Sequence, residues 1–335
     1  MLLKTLTPAL AVALVAPLFA LPAQGGGGNA VDSSKNPIDI AVIGDTPYGD
    51  AQIADLPNLI AHINADPKVR AVVHVGDIKN GSSRCDDGYY GFILDSFNSL
   101  QDPLLYTPGD NEWTDCHRAN NGAYNPLERL DFLRDVFYAD PRESLGGRHQ
   151  RVLSQADVPA HAEFIENQMW MESTVVFSLH HAVGSNNGFA AWSGIPDDPA
   201  NRIPEVNRRI AAALDWIDRS FALAASQSAE GVVLFHQADM WSSARAQDGF
   251  DEIAARIAER AAAFGKPVLL IEGDTHRYRV DHPFTPGDAR FGVYATVAAP
   301  NVTRIVVEGE TSAEWLRLQV NPGGESLFSW ERVMR

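Results

Sequence analysis

Five apolar runs in this chain each end on residues able to ligate a metal ion. Ile38–Val42 leads to Gly44-Asp45, and Ala71–Val75 leads to Gly76-Asp77. Leu104–Tyr106 leads to Gly109-Asp110-Asn111-Glu112, and Gly231–Phe235 leads to His236. Pro267–Ile271 runs on into Gly273-Asp274-Thr275-His276. Carboxylates and an Asn carbonyl are hard oxygen donors, and imidazole is a borderline nitrogen donor. Six such groups along one sheet edge would hold two divalent ions roughly 3.5–4 Å apart. Asp77 is central in the series and is the natural bridging carboxylate. A metal pair turns water into a nucleophile near neutral pH and stabilises charge on a transferring phosphoryl group.

The elements that must carry these residues alternate between strand and helix. Ile38–Ile43, Ala71–Val75 and Leu104–Thr107 read as strands. Asp50–Asn64 has helical spacing of Ile53, Leu56, Leu59, Ile60 and Ile63, and about Tyr89–Leu100 is a second helix. Pro126–Phe137 opens with a helix-starting proline and aligns Leu127, Leu130, Leu133 and Phe137. This alternation argues for β-α-β units and a mainly parallel sheet, whose strand C-termini carry the chemistry. Asp140–Met169 has no clear period and reads as an excursion or lid. Thr174–Leu179 is a strand ending at His180-His181, and Val183–Pro204 is a long polar loop. Arg208–Ala224 and Phe250–Phe264 are helices, with Gly231–Phe235 and Pro267–Ile271 as strands. Beyond Tyr278 the texture changes: Val293–Val297, Thr303–Glu308 and Ala313–Val320 alternate like half-buried antiparallel strands. There is no internal repeat and no second-domain linker.

Hydrophobic content of 45% and charged content of 21% over 335 residues are globular values. The formal charge of -16 and pI near 5.0 repel nucleic-acid backbones and anionic membranes, so neither is expected as a bulk partner. Bound cations reverse that sign locally, so a phosphorylated substrate is compatible. Residues 1–23 read as a signal peptide. Lys4 is the only charge before Asp32, Leu6–Leu21 is largely apolar, and Leu-Pro-Ala at 21–23 offers a cleavage site. A glycine-rich leader (24–36) and one domain (37–330) follow. The expected location is secreted or periplasmic, with no membrane association beyond the signal peptide. In an exported protein the two cysteines, Cys85 and Cys116, suggest one disulfide. It would tie together the loops after the Asp77 and Asp110 motifs.

The order of motifs resembles the calcineurin-like metallophosphoesterases, which include the purple acid phosphatases. That family's pattern is D-x-H or D-x-G, then G-D, G-N-H-D/E, an isolated His at a strand end, and G-H-x-H. The resemblance runs from about Ile38 to His276. It implies an α/β fold: a four-layer α/β/β/α sandwich with a mixed sheet, the last strands belonging to the second sheet. It implies two divalent ions (Mn, Mg, Fe, Zn or Ca), with Asp45 and His276 on one, His236 on the other, and Asp77 bridging.

Three positions depart from the pattern. Pro47 stands where D-x-H has its His; Asn80 and Tyr48 are candidate replacement donors. G-N-H-E has become Gly109-Asp110-Asn111-Glu112. Aligning Gly and Glu puts Asp110 at the ligand position and Asn111 at the catalytic His position; a one-residue shift would make Asn111 the ligand. G-H-x-H has become Gly273-Asp274-Thr275-His276, and Asp274 as a ligand favours harder ions. With Asn at 111, the general acid must come from elsewhere: His117, His180 and His181 are candidates. Lys79 and Arg118 are candidate phosphate contacts, with Asn80 beside them. Trp113, Trp192 and Trp241 each follow a motif and are candidate cleft walls.

Other chemistries fit less well. There is no G-x-x-x-x-G-K phosphate loop, no second Asp after Asp45-Thr46-Pro47, and no G-x-S-x-G turn. The expectation is an exported phosphoesterase that hydrolyses a small phosphate mono- or diester through metal-activated water at a dinuclear site. The competing reading is a catalytically impaired protein on the same scaffold, binding a phosphorylated ligand or partner. A third is a surface structural protein whose acidic edge binds calcium.

Overall fold

The computed structural model describes residues 35–312 and 314–335. The segment read as a signal peptide, 1–23, and most of the glycine-rich leader lie outside the described residues. Strands are β1 (Ile38–Ile43), β2 (Val69–His74), β3 (Leu104–Tyr106), β4 (Leu153–Ser154), β5 (Gln168–Glu172), β6 (Val175–Leu179), β7 (Gly231–Phe235), β8 (Val268–Glu272), β9 (Arg279–Asp281), β10 (Val302–Val306), β11 (Glu314–Val320) and β12 (Phe328–Met334). Helices are α1 (Gly49–Asn64), α2 (Asp87–Asn98), α3 (Pro126–Phe137), the single turn α4 (Gly184–Asn187), α5 (Pro199–Ser226) and α6 (Asp251–Phe264).

Two mixed sheets form, in the orders β12-β11-β1-β2-β3 and β4-β5-β6-β7-β8-β10-β9. The parallel strands are β1-β2-β3 in one and β6-β7-β8-β10 in the other. The sheets pack face to face through Ile40, Val42 and Val73 on one side and Phe177, Val233, Phe235 and Ile271 on the other. Outer faces are covered by helices. Leu56, Ile60, Ile93 and Phe97 sit on Ala41 and Val72, while Trp216, Ile217, Ile253 and Ile257 sit on Val232 and Leu234. The result is the expected four-layer α/β/β/α arrangement. Each large apolar side chain buried this way contributes about 1.5–3 kcal/mol.

The two-residue alternation of each strand decides its faces. In β7, Val233 and Phe235 enter the inter-sheet core, whereas Val232 and Leu234 face helices α5 and α6.

Some elements differ from the sequence reading. Val293–Val297 is a loop, pinned by the Tyr294 hydroxyl on the Met240 carbonyl at 2.6 Å. β11 and β12 extend the first sheet, where β11 pairs antiparallel with β1, and β9 and β10 join the second. Helix α5 begins at Pro199, with the Asp198 side chain capping the Asn201 N–H, so the end of the expected polar loop, Pro199–Pro204, is helix. Proline at a first helical position starts a helix rather than blocks it. The irregular excursion contains the short strand β4 and runs into β5, whose Trp170 stacks on Phe177 of β6 at 4.7 Å. Cys85 and Cys116 form a disulfide with Cα atoms 5.9 Å apart, tying the loops after β2 and β3.

Candidate metal centre

The C-terminal ends of β1, β2, β3 and β8 deliver the acidic residues to one place. Asp45, Asp77 and His276 form one group whose ligand atoms all lie within 4.8 Å of one another, and Asp77, Asp110 and Asp274 form a second. Asp77 belongs to both. Asp45, Asp77, Asp274 and His276 have φ of 52°, 60°, 72° and 56°, a left-handed backbone that aims side chains back across the sheet edge. Such backbone persists only where surrounding contacts enforce it.

Those contacts are visible. The Asp274 N–H donates to both Asp45 carboxylate oxygens, at 3.0 and 3.2 Å. The Asn111 N–H donates to Asp77 Oδ1 at 3.1 Å. Beneath them, Glu112 Oε1 accepts from the Asp77 N–H at 3.1 Å, the Gly109 N–H at 2.5 Å and the Tyr106 hydroxyl at 2.7 Å. Gly109 has no alternative, because a Cβ there would stand 2.1 Å from Asp77 Oδ1.

Burial pushes the carboxyls of Asp45, Asp77 and Asp274 upward, and the nearby Asp110 adds to each shift. Like charges this close and this dry do not all ionise unless a cation is present. At His276, burial opposes the charged ring, but Asp45 and Glu310 outweigh it and push it up to about 9. Its Nε2 is 3.4 Å from Asp45 Oδ1 and its Nδ1 is 3.2 Å from Glu310 Oε2. The donor set suits divalent cations: two carboxylates with an imidazole in one group, three carboxylates in the other.

Three neutral donors converge on Asp77 Oδ2: the Tyr48 hydroxyl at 2.8 Å, Asn111 Nδ2 at 2.8 Å and Gln237 Nε2 at 3.2 Å. Asn111 also donates to the Tyr48 hydroxyl at 2.8 Å, and Tyr48 stands edge-on to His276 at 5.1 Å. Arg118 Nη1 and Asn111 Oδ1 lie 3.6 and 3.0 Å from the point where a Cβ on Gly81 would stand, so they flank one spot. Arg118 pairs with Asp115 at 2.7 Å and keeps 40% of its side chain exposed.

His117 lines an adjacent cleft with Trp113, Asp115, Leu127, Ser185 and Trp192. Its Nδ1 accepts from the Ser193 N–H at 3.0 Å, which leaves the proton of the neutral ring on Nε2. Burial, helped by Arg118, lowers its basicity.

Other residues singled out from the sequence lie elsewhere. His236 follows the helix-facing residues of β7. Its Nε2 meets Glu272 Oε1 at 3.0 Å, and Glu272 pairs with Arg304 at 2.8 Å. It is Gln237, on the opposite parity, that reaches the acidic cluster. Strand alternation carried that signal: Val233 and Phe235 point inward, and so does position 237.

Lys79 is buried, with Nζ donating to the Asn111 carbonyl at 2.7 Å, the Asn80 carbonyl at 3.0 Å and Asn121 Oδ1 at 3.0 Å. Its three donors are spent, so it is a strut beneath Asn111 rather than a phosphate contact; burial pulls it down to about 8. Asn80 Oδ1 accepts from the Ser82 N–H and the Ser82 and Ser83 hydroxyls at 2.9–3.0 Å, which closes a turn instead of ligating an ion.

His180 is buried against His236 with ring centroids 4.7 Å apart, and His181 Nδ1 is held by Glu166 at 2.7 Å. Neither offers a proton to the cluster. Trp113 is buried beside His181 and Arg209, and Trp241 packs on Phe284 and Tyr294. Of the three tryptophans, Trp113 and Trp192 line the cleft. The sequence reading did not single out Gln237, Asp115 or Ser185.

The chain belongs to the calcineurin-like phosphoesterase family, whose sequence profile matches residues 38–278. Similar solved structures include a dimetal phosphatase from Danio rerio, with TM-score 0.47 and 11% identity, covering 89% of this chain and 98% of that one. Another is GAP50, the anchor in the inner membrane complex of Plasmodium, with TM-score 0.48 and 9% identity, covering 89% of each chain. A third is purple acid phosphatase PPD1 from yellow lupin (Lupinus luteus) seeds, with TM-score 0.45 and 11% identity, covering 90% of this chain and 55% of that one. No curated protein sequence matches the chain.

Proposed function

We propose that this protein is an exported phosphoesterase that hydrolyses a small phosphate mono- or diester at a dinuclear metal site. One observation carries the reading: two ligand groups share Asp77, with Asp45 and His276 on one side and Asp110 and Asp274 on the other. Divalent ions held there would supply an activated water and neutralise charge on the phosphoryl group.

The chain's own residues do the rest. Asp77 is fixed by Glu112 through the backbone, so the shared carboxylate is placed before substrate arrives. Tyr48 and Asn111 hold its outer oxygen. Arg118, half free to solvent and beside Asn111, can take a phosphoryl oxygen as a charge-assisted hydrogen bond. His117 presents Nε2–H in the adjoining cleft, where it can donate to a departing oxygen. The disulfide anchors the loop that carries both residues, and is consistent with export. No helix among the described residues is long and apolar enough to cross a membrane.

A second reading, a catalytically impaired protein that binds a phosphorylated ligand, draws on Asn111 and Gln237 standing at the cluster where the family pattern has histidines. A nitrophenyl phosphate mono- and diester panel separates the two. Turnover that chelation removes supports the first; metal-loaded protein with no turnover supports the second.

A further inference from the structure

The turn α4 winds left-handed: Ser185, Asn186 and Asn187 have φ of 54°, 54° and 53°. Single asparagines visit this region readily but runs of it are rare, so three such residues in succession need external support. Asn187 supplies much of it, with Oδ1 accepting from the Val183 N–H at 3.2 Å and Nδ2 donating to the Gly249 carbonyl at 3.0 Å. The buried Arg209 donates to the Asn187 carbonyl at 2.8 Å and also to its side-chain oxygen. Asn186 Oδ1 accepts from the Gly249 N–H at 3.0 Å.

This backbone is pressed against one of the two ligand groups. A Cβ on Gly184 would stand 2.5 Å from Asp110 Oδ2 and 2.9 Å from Asp274 Oδ1. The Ser185 hydroxyl contacts Asp110 Oδ2 at 3.0 Å and Asp115 Oδ1 at 2.9 Å. The Gly184 N–H donates to Gln237 Oε1 at 2.7 Å, which turns the Gln237 amide nitrogen toward Asp77 and Asp110. Gln237 therefore faces the carboxylates as a hydrogen-bond donor, and its oxygen is committed to the turn.

We propose that this turn sets the metal preference of the centre. It keeps the Asp77–Asp110–Asp274 position all-oxygen and shut to a nitrogen ligand, so that position takes a hard divalent ion. The Asp45–Asp77–His276 position, with its imidazole, takes a borderline ion. The proposal rests on the two-position reading above. Zinc gains from imidazole, whereas manganese or magnesium is at home among carboxylates. Ser185 is a positioning residue, acting through Asp110, and outer contacts of this kind commonly change metal affinity 10–100-fold.

The test begins with chelator-stripped full-length protein loaded with two equivalents of Mn²⁺ and titrated with Zn²⁺. Bound Mn²⁺ is followed by paramagnetic resonance and elemental analysis. The first Mn²⁺ should leave at a Zn²⁺ concentration at least tenfold below the second, and His276→Ala should abolish that early step. Ser185→Ala should weaken the late-leaving Mn²⁺ about tenfold and leave the early one unchanged. Gly184→Ala should hold a single Mn²⁺; if that variant does not fold, Ser185→Ala decides alone. Two Mn²⁺ ions leaving together, or a Ser185→Ala protein with both affinities intact, overturns the proposal while sparing the phosphoesterase reading. Wild-type protein that takes up Zn²⁺ but no Mn²⁺ overturns the proposal alone, and protein that binds neither overturns both.

Discussion

Glu112 Oε1 accepts the backbone N–H of Asp77 at 3.1 Å, so the shared carboxylate of the candidate metal centre is oriented from below by a second, fully buried carboxylate. The same oxygen takes the Gly109 N–H and the Tyr106 hydroxyl. Removing it orphans three buried donors, each worth about 1–3 kcal/mol. Glu112→Ala should lose at least about 3 kcal/mol of stability in urea unfolding, whereas Glu112→Gln, which keeps an acceptor, should lose clearly less. Equal losses would contradict this role.

Lys79 and Arg118 were both candidate phosphate contacts, and only Arg118 remains free to act. Arg118→Ala should raise KM for a nitrophenyl phosphate severalfold with little change in melting temperature. Lys79→Ala should do the reverse, lowering stability by about 2 kcal/mol or more with KM almost unchanged. A KM rise in Lys79→Ala without destabilisation would return Lys79 to the substrate site.

Four buried imidazoles resist protonation in the fold. Burial lowers His74 to about 4 and His236 to about 3, and it lowers His180 and His181 as well. In the unfolded chain each titrates near about 6.5. The unfolded state then binds more protons at these four rings below that value, so their contribution to stability is full above about pH 6.5 and is lost as pH drops toward 4, opposite in sign to that of the raised carboxyls of Asp45, Asp77 and Asp274. His74 alone accounts for about 3 kcal/mol across that window. The difference in unfolding free energy between the wild type and His74→Gln at pH 7, 6, 5 and 4.5 isolates that share; a difference that does not shrink toward pH 4.5 contradicts it.

The Cys85–Cys116 bond closes a loop with a sequence separation of 31 and binds the arms that carry Asp77 and Asp110. Cys85→Ser/Cys116→Ser should cost about 3–4 kcal/mol in the chain-entropy model. Unfolding midpoints of the oxidised and the double-Ser proteins measure it. A loss under about 1 kcal/mol would mean that the packing of Tyr90 and Phe137 around the bond already holds the loops.

Much of the scaffold was legible in the sequence because β1, β2, β3 and β8 are short apolar runs cut off by Gly-Asp or Gly-Asp-Asn-Glu. Asp45, Asp77, Asp110, Asp274 and His276 therefore stood out by position alone. What stayed hidden depends on facing and long-range partners. His236 looked like a ligand by type, but strand parity sends it toward Glu272 and gives its place to Gln237. Lys79 looked like a free cation until Asn111, Asn80 and Asn121 closed on it. Ser185 acts from a left-handed turn whose asparagines tolerate that backbone but whose fixed place comes from Arg209 and Gly249, distant in sequence. β11 reads as an alternating strand wherever it pairs, so its place beside β1 was not encoded locally.

The most direct measurement is the metal stoichiometry of purified protein and of Asp77→Asn, read by elemental analysis after equilibrium dialysis against a divalent ion. Two ions bound by the wild type, and at most one held weakly by the variant, is the result expected if Asp77 is shared between two positions. Two ions retained at unchanged affinity by Asp77→Asn would contradict the dinuclear account.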